Sequence, residues 1–216
     1  MSLRKFYSTF IKENGFPNQV FTGIPMFEGH TQQNYAQIAA LERLVDELVD
    51  KKGAIQAMEI GFNAGHSAEL MLERNEELTL TSFDIGEHGY VRLGKTYIDK
   101  TYPSRHTLIL GDSIKTVPAF AEDSDIKFDL IFIDGYHLGL HPSTDLLNCA
   151  KLAHKDTIVI MDDTSYTPRW NKSWTLAPTS AWITAVQQQL VVEIGRQDFG
   201  RGKGMSWGKY LLKEGR

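Results

Sequence analysis

Several things are scarce in this chain, and each shortage removes a class of protein. Among 216 residues there is one cysteine, Cys149. A single thiol excludes an intrachain disulfide and supplies no thiolate set for zinc, so a reducing compartment is the simpler reading and Cys149 is expected to be buried packing. No apolar run approaches the ~18 to 20 residues of a membrane span. The opening "MSLRKFYSTFIKENG" is broken by Lys12, Glu13 and Asn14 before a secretory apolar region can form. A soluble, cytoplasmic protein with no membrane partner is expected. Basic charge is not in excess either: 23 Lys and Arg stand against 27 Asp and Glu, for a formal net charge of -4, and no dense basic run occurs. That gives no electrostatic footprint for nucleic acid. With no internal repeat or low-complexity linker, residues 1–216 read as a single domain large enough to bury a core and leave a cleft.

What is present is an alternation. The apolar runs "AIQAMEI", "LTLTSF", "HTLIL", "FDLIFI" and "TIVIM" recur with helical stretches between them, roughly 33–50, 66–74, 91–101, 113–122, 143–153 and 178–189. Repeated βαβ units are written this way, and unalternated strands such as "LIFI" suit a parallel sheet covered on both faces. The fold class is therefore α/β, doubly wound and mostly parallel. Beyond "TIVIM" the pattern changes. "LVVEIG" and "GMSWGKYLL" read as two further strands, joined by the glycine-rich turn "DFGRGKG" into a C-terminal β-hairpin, which brings the sheet to seven strands.

In an open parallel sheet, ligands sit beyond the carboxyl ends of the strands. After the first run come Gly61 and Gly65, which permit a tight turn and close approach of a ligand, and Ser67 at a helix start. Their spacing lacks the G-x-G-x-x-G of dinucleotide folds, which demotes a nicotinamide or flavin ligand. After the second run Asp84 is placed to accept from a ribose diol, with a turn aspartate as the plainer reading. After the third, "GDS" puts Asp112 where it could face an adenine amino group, or where Asp112 or Ser113 caps the next helix.

The ordered set "MEIGFNAGHS", "FDIG", "GDS" and "FDLIFIDGYH" resembles the class I S-adenosylmethionine-dependent methyltransferases, across roughly residues 31–212. The resemblance implies a Rossmann-like sheet and S-adenosylmethionine as cofactor. It also implies a cofactor site made of Glu59, Gly61, Gly65 and Ser67 under the methionine part, Asp84 at the ribose, and Asp112 and Ser113 beside the adenine.

The fourth and fifth runs end in acids, Asp134 in "FIDGYH" and Asp162 with Asp163 in "IMDDT". Three convergent carboxylates would repel one another, and a hard dication such as Mg²⁺ resolves that repulsion with oxygen ligands. The arrangement is similar to the metal-dependent O-methyltransferases of the catechol and macrolide-sugar type, which implies Asp134, Asp162 and Asp163 as metal ligands. His137 stands where the catechol enzyme has a lysine base, and "DG-x-H" is closer to the sugar-modifying branch. The implied chemistry is metal-assisted methylation of a small-molecule hydroxyl, with His137 as base and Asp134 beside it. A loop histidine bonded to backbone, and capping aspartates, are the structural alternatives. The pair His137 and His141 has a zinc-like interval, but Gly139 and Pro142 argue against a continuous helix there.

Two regions stay open. Trp170 and Trp174 beside Arg169, Asn171 and Lys172 fit either a lid over a sugar or planar ring, or ordinary loop packing. Residues 1–30, with Phe6, Tyr7, Phe10, Phe16, Phe21 and Phe27, form an N-terminal extension that covers the cleft as a lid or builds a homo-oligomer contact. The rival functions are a non-catalytic S-adenosylmethionine or nucleotide-binding protein and, further off, an NAD-dependent oxidoreductase.

Overall fold

The five apolar runs become parallel strands: β1 (Gln56–Ile60), β2 (Thr79–Asp84), β3 (His106–Leu110), β4 (Phe128–Ile133) and β5 (Ala153–Asp162). The structure is a computed structural model that describes residues 1–17, 27, 34–167, 172–200 and 202–212. The hairpin strands β6 (Val191–Gly200) and β7 (Lys203–Tyr210) complete a seven-stranded sheet in the order β3-β2-β1-β4-β5-β7-β6. β7 inserts antiparallel between β5 and β6. β4 is buried along its whole length because helices cover both faces of the sheet, which is why its sequence shows no polar alternation. The order reverses between β1 and β4, so the strand ends at residues 60–65 and 133–137 flank the switch point where such sheets hold ligands.

The helices are α1 (Leu3–Asn14), α2 (Tyr35–Lys52), α3 (His66–Arg74), α4 (Gly89–Thr101), α5 (Ser113–Asp123), α6 (His141–Cys149) and α7 (Ser173–Gln187). α2 buries Gln37, Leu41, Leu44, Val45 and Leu48 on one stripe and starts at Asn34, whose side-chain oxygen accepts from the N–H groups of Ala36 and Gln37. The helix read at 143–153 begins earlier, because Pro142 fits its first turn, and closes in a short 3-10 turn at Ala150–Leu152. β5 then starts at Ala153 rather than at Thr157. Its polar segment 154–156 looks like loop in the sequence but continues the strand beside β4, across a register shift between Phe128 and Leu130.

The N-terminal extension contains an element its sequence hides among aromatics. α1 buries Leu3 and Tyr7 against the α3–α4 side of the sheet. The Leu3 N–H donates to Glu69 Oε1 at 2.6 Å, and the Tyr7 hydroxyl reaches the carbonyls of Tyr90 at 2.8 Å and Ala64 at 3.1 Å. Ala64 belongs to the glycine-bearing loop after β1, so α1 holds that loop from behind. Phe27 meets Tyr7 edge to face, with ring centroids 4.6 Å apart. Replacing Tyr7 by Phe leaves these buried carbonyls without the hydroxyl donor, and we expect a loss of about 1 to 3 kcal/mol in urea-denaturation stability. An unchanged midpoint would show that the hydroxyl is dispensable. Phe21, Arg169, Trp170 and Asn171 lie outside the described residues.

Candidate active site

The loop after β1 is shaped by contacts that only glycine permits. Gly61 has φ +98°, and a Cβ there would come within 2.0 Å of the Asp134 carbonyl oxygen. The ends of β1 and β4 therefore meet backbone to backbone, with the Asp134 N–H donating to Ile60 O at 2.9 Å. Gly65, at φ +86°, is the N-cap of α3 and lies against the Phe62 ring. The space that Gly61 keeps clear is thus filled by the next strand end, and Asp134 owes its position to it.

Glu59 and Ser67 face each other beneath this loop. The Ser67 hydroxyl donates to Glu59 Oε2 and the Ser82 hydroxyl to Glu59 Oε1, each at 2.6 Å, and His106 Nε2 lies 2.8 Å from Ser82 Oγ. Glu59 has no exposed surface. Burial pushes its pKa up to about 7, against the two hydroxyl bonds and with further lift from Asp134 and Asp84. Because the folded value lies above the ordinary carboxylate range, the folded state binds the extra proton. This group's stabilisation is full at acid pH and is lost as pH rises through about 7. We expect Glu59→Gln to flatten the fall in melting temperature between about pH 5 and pH 8; an equally steep fall would place the titration elsewhere.

Asp84 ends β2 half-buried. Its Oδ2 accepts the Asn63 N–H at 2.8 Å and its Oδ1 the Gly86 N–H at 2.7 Å, while Asn63 takes the left-handed conformation at φ +52°. One carboxylate therefore ties the loop after β1 to the turn after β2. Asp112 is the N-cap of α5, with Oδ1 accepting from the Ile114 N–H at 3.1 Å, and the Ser113 side chain bonds Asp145. Asp145 is buried and held up to about 6 by desolvation.

Asp134, His137 and Asp163 meet at the ends of β4 and β5. His137 Nε2 is 3.3 Å from Asp134 Oδ1, and its Nδ1 is 3.4 Å from Asp163 Oδ2. One ligand atom from each of the three residues falls within 4.8 Å of the others. Burial lowers the His137 pKa, but the two carboxylates outweigh it and the net direction is upward. Asp163 itself has φ +53°, a backbone state that aspartate tolerates and that turns its side chain out of the strand alternation.

Asp162 remains in the alternation and goes elsewhere. Its Oδ2 accepts the Gln37 amide at 2.6 Å, its Oδ1 has no partner, and burial beside Asp134 and Asp163 raises its pKa well above the ordinary range. The expected trio Asp134, Asp162 and Asp163 is thus assembled as Asp134, Asp163 and His137. Two participants were not anticipated. Gln37 enters from the first turns of α2, and Lys203, at the start of β7, brings Nζ within 3.0 Å of Asp163 Oδ1. The one sequence signal for Lys203 was its place in the hairpin turn "DFGRGKG".

Comparison with known proteins bears on the fold and on the central part of the chain. Residues 58–164, which hold the glycine loop, Asp84, Asp112, Asp134, His137, Asp162 and Asp163, match a family described as a methyltransferase domain. No curated protein sequence matches the chain significantly. Among solved structures, an O-methyltransferase from Bacillus cereus in complex with SAH is 14% identical, with a TM-score of 0.64 over 96% of this chain and 100% of that one. The SAH-bound methyltransferase PaMTH1 of Podospora anserina gives 13%, 0.66, 97% and 88%. The O-methyltransferase TomG of Streptomyces achromogenes, involved in tomaymycin synthesis and solved with SAM, gives 12%, 0.65, 96% and 88%. At these identities the likeness establishes the fold. With the domain match spanning the strand ends just described and the sheet order complete, the chain carries a methyltransferase domain, matched over residues 58–164, on a seven-stranded sheet.

Proposed function

We propose that this methyltransferase acts on a hydroxyl oxygen of a small molecule, with His137 as the base. One observation carries the reading: an imidazole held between two carboxylates at the ends of β4 and β5, beside the glycine loop. The names of the Bacillus and Streptomyces neighbours, both O-methyltransferases, support oxygen as the acceptor atom. In the neutral ring one nitrogen keeps its N–H toward a carboxylate and fixes the orientation. The other is left to take the acceptor's proton, and the second carboxylate stabilises the imidazolium that forms. S-adenosylmethionine, when bound, would supply the methyl group to the freed oxygen and leave as S-adenosylhomocysteine.

For the cofactor, we assign Gly61, Gly65, Ser67 and Glu59 to the methionine end, with Glu59 and Ser67 acting through the loop they brace. Asp84 takes the ribose, and Asp112 and Ser113 the adenine side. A divalent ion would find Asp134, His137 and Asp163 close enough to share it. The fit is incomplete in two respects: Asp162, with one oxygen on Gln37, is not one of the three, and Asp163 already holds the Lys203 ammonium. No step of the proposed transfer uses a metal.

Calorimetric titration of the full chain with S-adenosylhomocysteine and with NAD, each with and without Mg²⁺, tests the cofactor, and a screen of hydroxyl acceptors with S-adenosylmethionine tests the transfer. Binding of S-adenosylhomocysteine but not NAD is the expected result. Cofactor binding with no transfer to any hydroxyl would favour a non-catalytic or differently specific protein.

A further inference from the structure

The backbone, more than the side chain, brings Lys203 to the cluster. The Thr164 N–H donates to Gly204 O at 3.1 Å, and Asp162 pairs with Met205 across β5 and β7. A Cβ on Gly204 would lie 2.3 Å from Thr164 O. The start of β7 can lie flat on residues 162–164 because residue 204 has no side chain, and residue 203 is then delivered beside Asp163. Lys203 Nζ is 3.0 Å from Asp163 Oδ1, an oxygen with no other partner, and the Asp163 side chain is 2% exposed. Among the described residues no other lysine or arginine pairs with Asp134, Asp162 or Asp163.

We propose that Lys203 is the resident counter-cation of the methyl-transfer cluster, offsetting the carboxylate charge that a divalent ion would otherwise offset and competing with such an ion for Asp163. The chemistry rests on the methyl-transfer reading above; the competition does not. Burial opposes the lysine's charge, but Asp163, Asp162 and Asp134 more than compensate and hold the ammonium in its charged form. A dication approaching Asp163 meets this charge at contact distance in a partly desolvated site, where repulsion is weakly screened. To take Asp163 Oδ1 it must displace the ammonium, and at Oδ2 it binds beside that charge on the same buried carboxylate. Lys203 gains and loses no proton in the transfer, since the acceptor's proton goes to His137.

The test uses Mn²⁺, whose free ion is read by its paramagnetic resonance, with the full-length wild type, Lys203→Met and Lys203→Arg. Wild type and the arginine variant should leave Mn²⁺ free at concentrations where the methionine variant binds one ion, with an affinity gain of about tenfold or more. Adding Asp163→Asn to Lys203→Met should remove that site. Equal one-to-one binding by wild type and Lys203→Met would overturn the proposal. Should Lys203→Met fail to fold, the other two proteins decide: a tight Mn²⁺ site in either, lost on Asp163→Asn, overturns it, and none in both supports it. Methyl transfer is followed in parallel with EDTA present. A wild-type rate that survives supports the proposal and one that is abolished refutes it. The absence of any hydroxyl transfer with the Mn²⁺ pattern intact would instead sink the choice of oxygen as acceptor.

Discussion

Replacing His137 by alanine should lower turnover by about 10² to 10⁴ while leaving S-adenosylhomocysteine affinity near that of the wild type. The ring sits between Asp134 Oδ1 and Asp163 Oδ2 at 3.3 and 3.4 Å, so its position is set by β4 and β5 and not by the glycine loop. Its proposed task arises only when the acceptor loses its proton, and ground-state cofactor binding does not depend on it. A loss of cofactor affinity equal to the loss of rate would mark His137 as structural. The pH profile separates the readings further. The flanking carboxylates raise its pKa, so the neutral base is populated, and the rate rises, only as pH climbs past that raised value. Asp163→Asn removes one source of the upward shift, and the acidic limb should move to lower pH. A limb that stays in place when Asp163 is neutralised would belong to another group.

Much of this layout was legible because its physics is local. Buried parallel strands must be apolar throughout, so "FDLIFI" and "TIVIM" announced themselves. Turns that bring two backbones together need glycine, so Gly61 marked the loop after β1 even though its neighbour proves to be the Asp134 carbonyl. The acids at the strand ends followed from the same register. What could not be read depended on direction and on distant pairing. Asp162 and Asp163 are adjacent letters, but one keeps the strand alternation and reaches Gln37 while the other leaves it through a left-handed backbone state. Lys203 lies 40 residues along the chain from Asp163, and only the insertion of β7 beside β5 brings them together. α1 was missed for a third reason. Its aromatics suggested a cover over the cleft or an oligomer contact, whereas Leu3, Tyr7 and Phe6 pack as one helical face with Tyr97 against the sheet's helices.

Replacing Asp84 by alanine should weaken S-adenosylhomocysteine binding by about 2 to 4 kcal/mol, the worth of two charge-assisted hydrogen bonds to a ribose diol. Each carboxylate oxygen already accepts one backbone N–H, from Asn63 or Gly86, and each retains a lone pair for a ligand hydroxyl. The same substitution therefore acts twice: it deletes the diol acceptors, and it releases Asn63 from the left-handed state that shapes the loop after β1. The two contributions can be separated with a cofactor analogue lacking both ribose hydroxyls. If Asp84 binds the diol, the penalty of Asp84→Ala shrinks sharply for the analogue, and the difference between the two penalties is the direct coupling. If Asp84 only braces the loop, both ligands lose the same affinity. A folded variant that binds S-adenosylhomocysteine as the wild type does would remove Asp84 from the cofactor site altogether, leaving it as the tie between the first two strand ends.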